Sequence, residues 1–194
     1  GIVNCTPDSF YKNSRKSELE DQRLLIDLHV KNGATWLDIG GYSTRPGAEH
    51  ISEKDEIERI KSALAYALET YPEIKLSVDT FQAEVANYAL EQGAHLINDI
   101  SGGLIDSDLF SVVATFQVPY VLMHMRGTPQ NMSGLNHYEN ILRETIYELG
   151  IQKEKATRAG IKDILIDPGF GFAKNSEQNL ELFSKLEAFH LFDC

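Results

Sequence analysis

Six short apolar runs in the chain each lead into a residue able to hold a ligand: Asn4, Asp38, Asp79, Asn98, His124 and Asp167. Asp79, Asp167 and Asn98 together would suit a heterocycle with several N–H donors along one edge, because an ionised carboxylate only accepts and an amide oxygen accepts as well. An Asp at a strand-to-helix turn also caps the helix that follows. Both roles stay open for Asp79 and Asp167, while Asp99 reads as a cap or an internal partner. The run Asp38-Ile39-Gly40-Gly41-Tyr42-Ser43-Thr44-Arg45-Pro46-Gly47-Ala48 sets hydroxyls and a fixed cation behind two glycines that let backbone approach a ligand. It fits neither GxGxxG nor GxxxxGK[ST], so a nucleotide-binding reading loses its support. In Asn4-Cys5-Thr6-Pro7-Asp8-Ser9-Phe10 the apolar Phe10 sits in an otherwise polar turn, which a plain connecting turn explains equally well. Met123 could pack on a flat ring. His124 reads as a hydrogen-bonded structural residue, since the other histidines lack ligand spacing. Phe170 and Phe172, in Asp-Pro-Gly-Phe-Gly-Phe at 167–172, are core plugs or a wall for an aromatic ligand.

The elements that must position these residues alternate regularly. Candidate strands are 1–4, 35–40, 75–79, 95–98, 119–124 and 163–167, too short for helices and largely apolar, as in strands covered on both faces. Between them apolar residues recur near the helical period, as in Ile57, Ile60, Leu64 and Leu68, and in Ile141, Ile146 and Leu149. Ser52 through Asp55, and Ser107-Asp108, offer side-chain oxygens to helix N-termini. Gly33, Gly93 and Gly160 stand where a left-handed residue ends a helix. This β-α repetition allows an open doubly wound sheet or a closed barrel. A switch-point site would gather function at one place, whereas here nearly every strand ends in a polar residue. The expectation is a (β/α)8 TIM barrel of which about six βα units are present, in a single domain over residues 1–194.

Composition sets outer limits. A formal charge of −11 and 24% charged residues describe an ordinary globular domain whose own field repels nucleic acid and anionic membranes, so neither is an expected partner. Cys5 and Cys194 have no CxxC pairing, and free thiols in a reducing cytoplasm are expected rather than a disulfide framework or zinc site. No apolar run approaches the ~20 residues of a membrane span, and no signal-peptide pattern opens the chain, although a start without Met leaves room for a lost upstream segment.

Six segments in order, Asn-x-Thr-Pro-Asp-Ser-Phe at 4–10, Asp-Ile-Gly-Gly-x-Ser-Thr-Arg-Pro-Gly-Ala at 38–48, Ser-Val-Asp-Thr at 77–80, Ile-Asn-Asp-Ile-Ser-Gly at 97–102, Met-His-Met-Arg-Gly-Thr-Pro at 123–129 and Asp-Pro-Gly-Phe-Gly-Phe at 167–172, resemble the dihydropteroate synthase family. The resemblance implies a barrel that condenses dihydropterin diphosphate with p-aminobenzoate in folate biosynthesis. Asp79, Asn98 and Asp167 would then hold the pterin, with Asp79, Asp167 and Arg45 catalytic. Asn4 would help hold Mg2+ on the diphosphate. Thr44, Arg45 and Pro46 would lie on a mobile loop, and Phe10 and Phe172 would border the p-aminobenzoate ring, where sulfonamides would compete. A homodimer is compatible with the resemblance. Two departures stand out: Lys12 occupies a position where the family often carries Asp, and segments typical of strands seven and eight are absent, as are residues before Gly1. Rival readings are a methyltetrahydrofolate methyltransferase-type barrel, which has no use for Ser-Thr-Arg-Pro at 43–46, and a non-catalytic pterin-binding relative.

Overall fold

The computed structural model describes residues 1–6, 15–45 and 49–193. Within them six strands alternate with six helices: β1 (Ile2–Asn4), α1 (Arg15–Lys31), β2 (Trp36–Gly40), α2 (Glu53–Thr70), β3 (Lys75–Asp79), α3 (Ala83–Gln92), β4 (Leu96–Asp99), α4 (Leu109–Phe116), β5 (Tyr120–Met123), α5 (Ile141–Ala159), β6 (Ile164–Asp167) and α6 (Ser176–Ser184). The strands lie in sequence order and pair in parallel, each with its chain neighbour. This is a partial barrel. Among the described residues β1 pairs only with β2, and β6 only with β5. No described helix is long and apolar enough to cross a membrane.

Side chains alternate across the sheet as a period of two requires. Leu37 and Ile39 of β2, Leu76 and Val78 of β3, Ile97 of β4 and Tyr120 and Leu122 of β5 enter one core with the helices, joined by Ile60 and Leu64 of α2 and Leu149 of α5. The opposite face carries Asp38, Ser77, Asp79, Asn98, Val121 and Leu165, which are less buried except Ser77. Expecting strands apolar on both faces was therefore right for only one of them. The other is a partly polar barrel interior.

Local signals at the helix ends were legible to different degrees. Ser52 accepts from Asp55 N at 3.1 Å and caps α2. Gly33, Gly93 and Gly160 all have positive φ. The Ser107-Asp108 cap does not form: Asp108 is helical and makes no capping bond through its side chain. The neighbouring Asp106 accepts from Asp108 N at 3.0 Å and from Ala83 N at 2.7 Å, so one carboxylate serves the starts of both α3 and α4. That long-range pairing has no local spacing to announce it.

Candidate active site at the strand ends

Parallel pairing places the chemistry at one rim. Asn4 is opposite Gly40, Gly40 opposite Asp79, and Asp79 opposite Asn98, so a ladder rung runs from β1 to β4 through three polar residues. Asp167 ends β6 opposite Met123. Gly40 leaves room for the carboxylate: a Cβ there would stand 3.3 Å from that of Asp79. Gly41 serves packing, since a Cβ there would meet Glu56 O and Ile60 Cγ2 at 2.9 Å, and only hydrogen lets the chain lie against α2.

Asp38 organises the floor of the site. Its Oδ1 accepts from Ser77 Oγ at 2.5 Å and its Oδ2 from Asn98 Nδ2 at 3.1 Å. The second contact fixes which way the Asn98 amide points, leaving its carbonyl oxygen for another donor. Asp79 caps nothing. The Ala83 N–H at the start of α3 goes to Asp106, and the N-cap residue Gln82 makes no capping bond through its side chain. Burial, then the neighbouring charges of Asp38, Glu56 and Asp99, raise Asp79 well above the usual carboxylate range. With other acids and, among the described residues, no cation beside it, such an acid is at its most favourable with donors supplied by a ligand.

Asp167 has a different job on each side. Its Oδ1 accepts from Gly169 N at 2.8 Å, which shapes the turn after β6, but it caps no helix, because α6 begins with its own capping box at Asn175 and Gln178. Asp99 is an internal partner as read: it accepts from Ser101 N and Gly103 N, each at 2.7 Å, and from the Tyr120 hydroxyl.

A second apolar cluster roofs this rim: Tyr42, Phe81, Ile100, Met123, Met125, Met132 and Ala173, with Phe172 and Ile51 packed against it. Met123 and Phe172 thus lie together beside the polar ladder, as an aromatic-binding wall requires. Phe170 turns outward and meets Phe183 edge-on. Tyr42 is the hub between loops, with Phe81 edge-on at 4.7 Å between centroids, Gln130 Nε2 donating to its hydroxyl at 2.9 Å and His50 Nδ1 at 3.2 Å. Thr44 is partly buried and Arg45 exposed on the loop that leaves this hub. Phe10, Lys12 and Pro46 lie outside the described residues.

Sequence reasoning missed the charges behind the rim. Arg126 is held by Glu144 at 2.9 Å, by Glu148, by His137 O at 2.7 Å and over the Tyr138 ring at 3.9 Å, so it is committed within the fold. Burial works to raise Glu148, but hydrogen bonds from His124 and Arg126 outweigh it and bring it to about 2. Lys174 is buried in the β6–α6 connection, and desolvation lowers it to about 7 against the pull of Asp167 and Glu148. Glu56, fully buried on α2, is raised by burial to about 7 despite hydrogen bonds from Thr80 and Gln82. Among the described residues no group of three or more His, Cys, Asp or Glu side chains could hold a metal ion, and His124 engages Glu148 and Lys174 instead.

The pattern of the family described as pterin binding enzyme matches residues 1–194. The folic acid synthesis protein fol1 of Pneumocystis carinii is 42% identical over 198 residues, covering all of this chain and 26% of that protein. Dihydropteroate synthase of Xanthomonas albilineans, solved with 4-aminobenzoic acid, is 37% identical with a TM-score of 0.87 over 96% of this chain and 66% of that one. The Yersinia pestis dihydropteroate synthase, solved in a sulfonamide drug complex, is 37% identical with a TM-score of 0.89 over all of this chain and 70% of that one. The chain thus spans about a quarter of the fungal protein and about two thirds of the bacterial chains. Its strand ends hold the acids and amide that a donor-rich heterocycle needs, and the chain belongs to the family of pterin-binding enzymes.

Proposed function

We propose that this chain supplies the pterin-binding part of a dihydropteroate synthase, joining 6-hydroxymethyl-7,8-dihydropterin diphosphate to p-aminobenzoate to give 7,8-dihydropteroate and diphosphate. The observation that carries the reading is the convergence of Asp79, Asn98 and Asp167 on one rim, with the Asn98 amide oriented by Asp38. Solved relatives that hold 4-aminobenzoic acid and a sulfonamide drug support the aromatic-amine partner.

The chemistry follows from where charge develops. The C–O bond to diphosphate breaks with its electron pair leaving on oxygen, and the pterin carbon gains positive character. Asp79 and Asp167 face the ring, and ring N–H donors together with the developing positive charge favour the carboxylate form of Asp79 against the burial and neighbouring acids that raise it, so that the two acids stabilise that charge. The amine lone pair then forms the C–N bond, and its proton passes to solvent or to the departing diphosphate. Phe172, beside Met123 in the apolar roof, is suited to border the aromatic amine and exclude water from the cation.

Magnesium is the ion the resemblance implies. The Asn4 amide oxygen at the end of β1 is a hard donor of the right kind, and Mg2+ commonly takes few protein ligands beside water and substrate phosphates. When bound, the ion would neutralise charge on the departing diphosphate. A cytoplasmic setting suits Cys5, a free buried thiol that burial pushes up to about 12 and so leaves unreactive.

The direct experiment is dihydropteroate formation from the two substrates by a protein carrying the complete barrel of its relatives, with a sulfonamide competing against p-aminobenzoate. Pterin binding without turnover would leave a non-catalytic relative. Arg45 gives a second check. Exposed on its loop, it is suited to act when that loop closes over both substrates, so Arg45→Ala should lower turnover about a hundredfold. The affinity for pterin alone should change little. Equal losses in turnover and binding would instead put Arg45 in the pterin pocket.

A further inference from the structure

Behind Asp167 lies a buried chain of alternating donors and acceptors that the chemistry above does not use. Lys174 is 8% exposed and His124 3%. Lys174 Nζ reaches His124 Nδ1 at 2.8 Å, Gly169 O at 3.0 Å and Phe172 O at 3.0 Å, with His124 O farther away at 3.3 Å. An ammonium has three protons to give, and the three nearest acceptors match them. On its other side His124 Nε2 faces Glu148 Oε2 at 2.9 Å.

These contacts fix the histidine's state. Glu148 is ionised and accepts only, so Nε2 must carry the proton and donate to it, and Nδ1 is left as the lone pair that Lys174 requires. Burial, outweighing the Glu148 hydrogen bond, lowers His124 and keeps it neutral. Protonated at both nitrogens, it would turn an N–H against the ammonium. Arg126 holds Glu148 from the far side.

The carbonyls tied together by Lys174 belong to the turn that carries the rim chemistry. Gly169 donates from its N–H to Asp167 and accepts at its O from Lys174, while Phe172, two residues before Lys174, is part of the roof. Gly169 also lies directly on the end of β5: with φ of +69° and a Cβ position only 2.0 Å from His124 O, no other residue fits. The turn after β6 is therefore clamped to β5 at two points, one steric and one charged.

We propose that Lys174 and His124 are a positioning pair: Lys174, held by His124 in its Nε2–H tautomer, locks the Gly169–Phe172 turn so that the Asp167 carboxylate and the Phe172 ring face the pterin and the aromatic amine. The proposal rests on the functional reading given above for what occupies the rim. The charged and titratable groups around Lys174 are His124 and Arg126 at the end of β5, Tyr138 in the β5–α5 connection, Glu144 and Glu148 on α5 and Asp167 on β6. Asp167 and Glu148 favour the charged lysine, and Arg126 opposes it.

The test uses Lys174→Met, His124→Leu and His124→Asn in a protein carrying the complete barrel. Lys174→Met, neutral and of similar shape, should keep its fold by circular dichroism. It should lose about tenfold or more in affinity for both pterin and p-aminobenzoate. His124→Leu should behave alike, while His124→Asn, with an amide oxygen where Nδ1 stood, should recover most of that loss. The wild-type kcat/KM should decline as pH rises through about 7, where the lysine loses its proton, and Lys174→Met should lack that limb. Wild-type affinities and pH profile in Lys174→Met, or His124→Asn as impaired as His124→Leu, would overturn the pair. Imidazole 15N shifts of the wild type decide independently of any variant: Nε2–H with a bare Nδ1 at neutral pH is expected, and the opposite tautomer or an imidazolium refutes it. A wild type that binds pterin but makes no dihydropteroate would reject the functional reading, while the binding and imidazole measurements still judge the pair.

Discussion

Replacing Asp79 by Asn should weaken pterin binding about tenfold to a hundredfold, since a charge-assisted hydrogen bond contributes about 1.5–3 kcal/mol. The same change should leave the ligand-free fold at least as stable near pH 8. Asp79 is raised well above its ordinary range by burial and by Asp38, Glu56 and Asp99. For an acid raised by folding, the native state binds more protons than the unfolded chain between the two pKa values, so its stabilising contribution is complete below the unfolded pKa and is lost as pH rises through the folded one. At alkaline pH Asp79 is thus a liability to the fold that the variant removes. Asp167→Asn should show the same loss of affinity. Its remaining Oδ1 can still accept from Gly169 N, so the turn is kept. Titration calorimetry with pterin and thermal unfolding at several pH values read both effects. Unchanged affinity in both variants, with folds intact, would sink the assignment of these acids to the ring.

What was readable in advance followed locality. Six strands and their parallel order came from short apolar runs interrupted by helical periodicity, and Asp79, Asn98, Asp167 and Asn4 do lie on one rim, whereas Asp38 lies two residues inside β2 and His124 just beyond β5. Asp38 was visible as a strand-end acid, but its grip on Ser77 and Asn98 spans 39 and 60 residues and depends on register. Lys174 follows no periodic pattern, and an isolated Lys after Gly-Phe-Gly-Phe-Ala reads as a solvated loop charge until the fold buries it. Glu148 lies on a helix otherwise rich in charge, where nothing distinguishes it from a surface carboxylate. Arg126 shows in sequence only as a cation after the fifth strand, and its partners Glu144, Glu148 and Tyr138 follow on the next connection and helix. Gly41 also admits the backbone of α2, a packing role that the sequence alone did not show. Each miss concerns a residue whose partner is distant in sequence.

A polypeptide ending at Cys194 should make no detectable dihydropteroate and bind the diphosphate substrate poorly, whereas one continued through a seventh and eighth βα unit should do both. Charge is the reason. Beside the acids of the rim, Arg126 and Lys174 are both engaged within the fold, and among the described residues Arg45, exposed on its loop, is the cation best disposed toward an anion. A diphosphate and a carboxylate brought into a water-excluded site need more positive charge than that, and barrels of this kind often hold phosphate near strands seven and eight. The same polypeptide should also be poorly behaved. Its β1 and β6 would present open hydrogen-bonding edges, with Ile2 64% and Leu165 47% exposed on them and Leu180 and Phe183 exposed on α6. Unpaired apolar edges invite association with other chains. Light scattering should therefore show aggregation that the longer chain lacks, in parallel with the missing activity. Turnover by a monodisperse protein verified by mass to end at Cys194 would refute the charge argument and move the anion site to Arg45 and to Lys12, which lies outside the described residues.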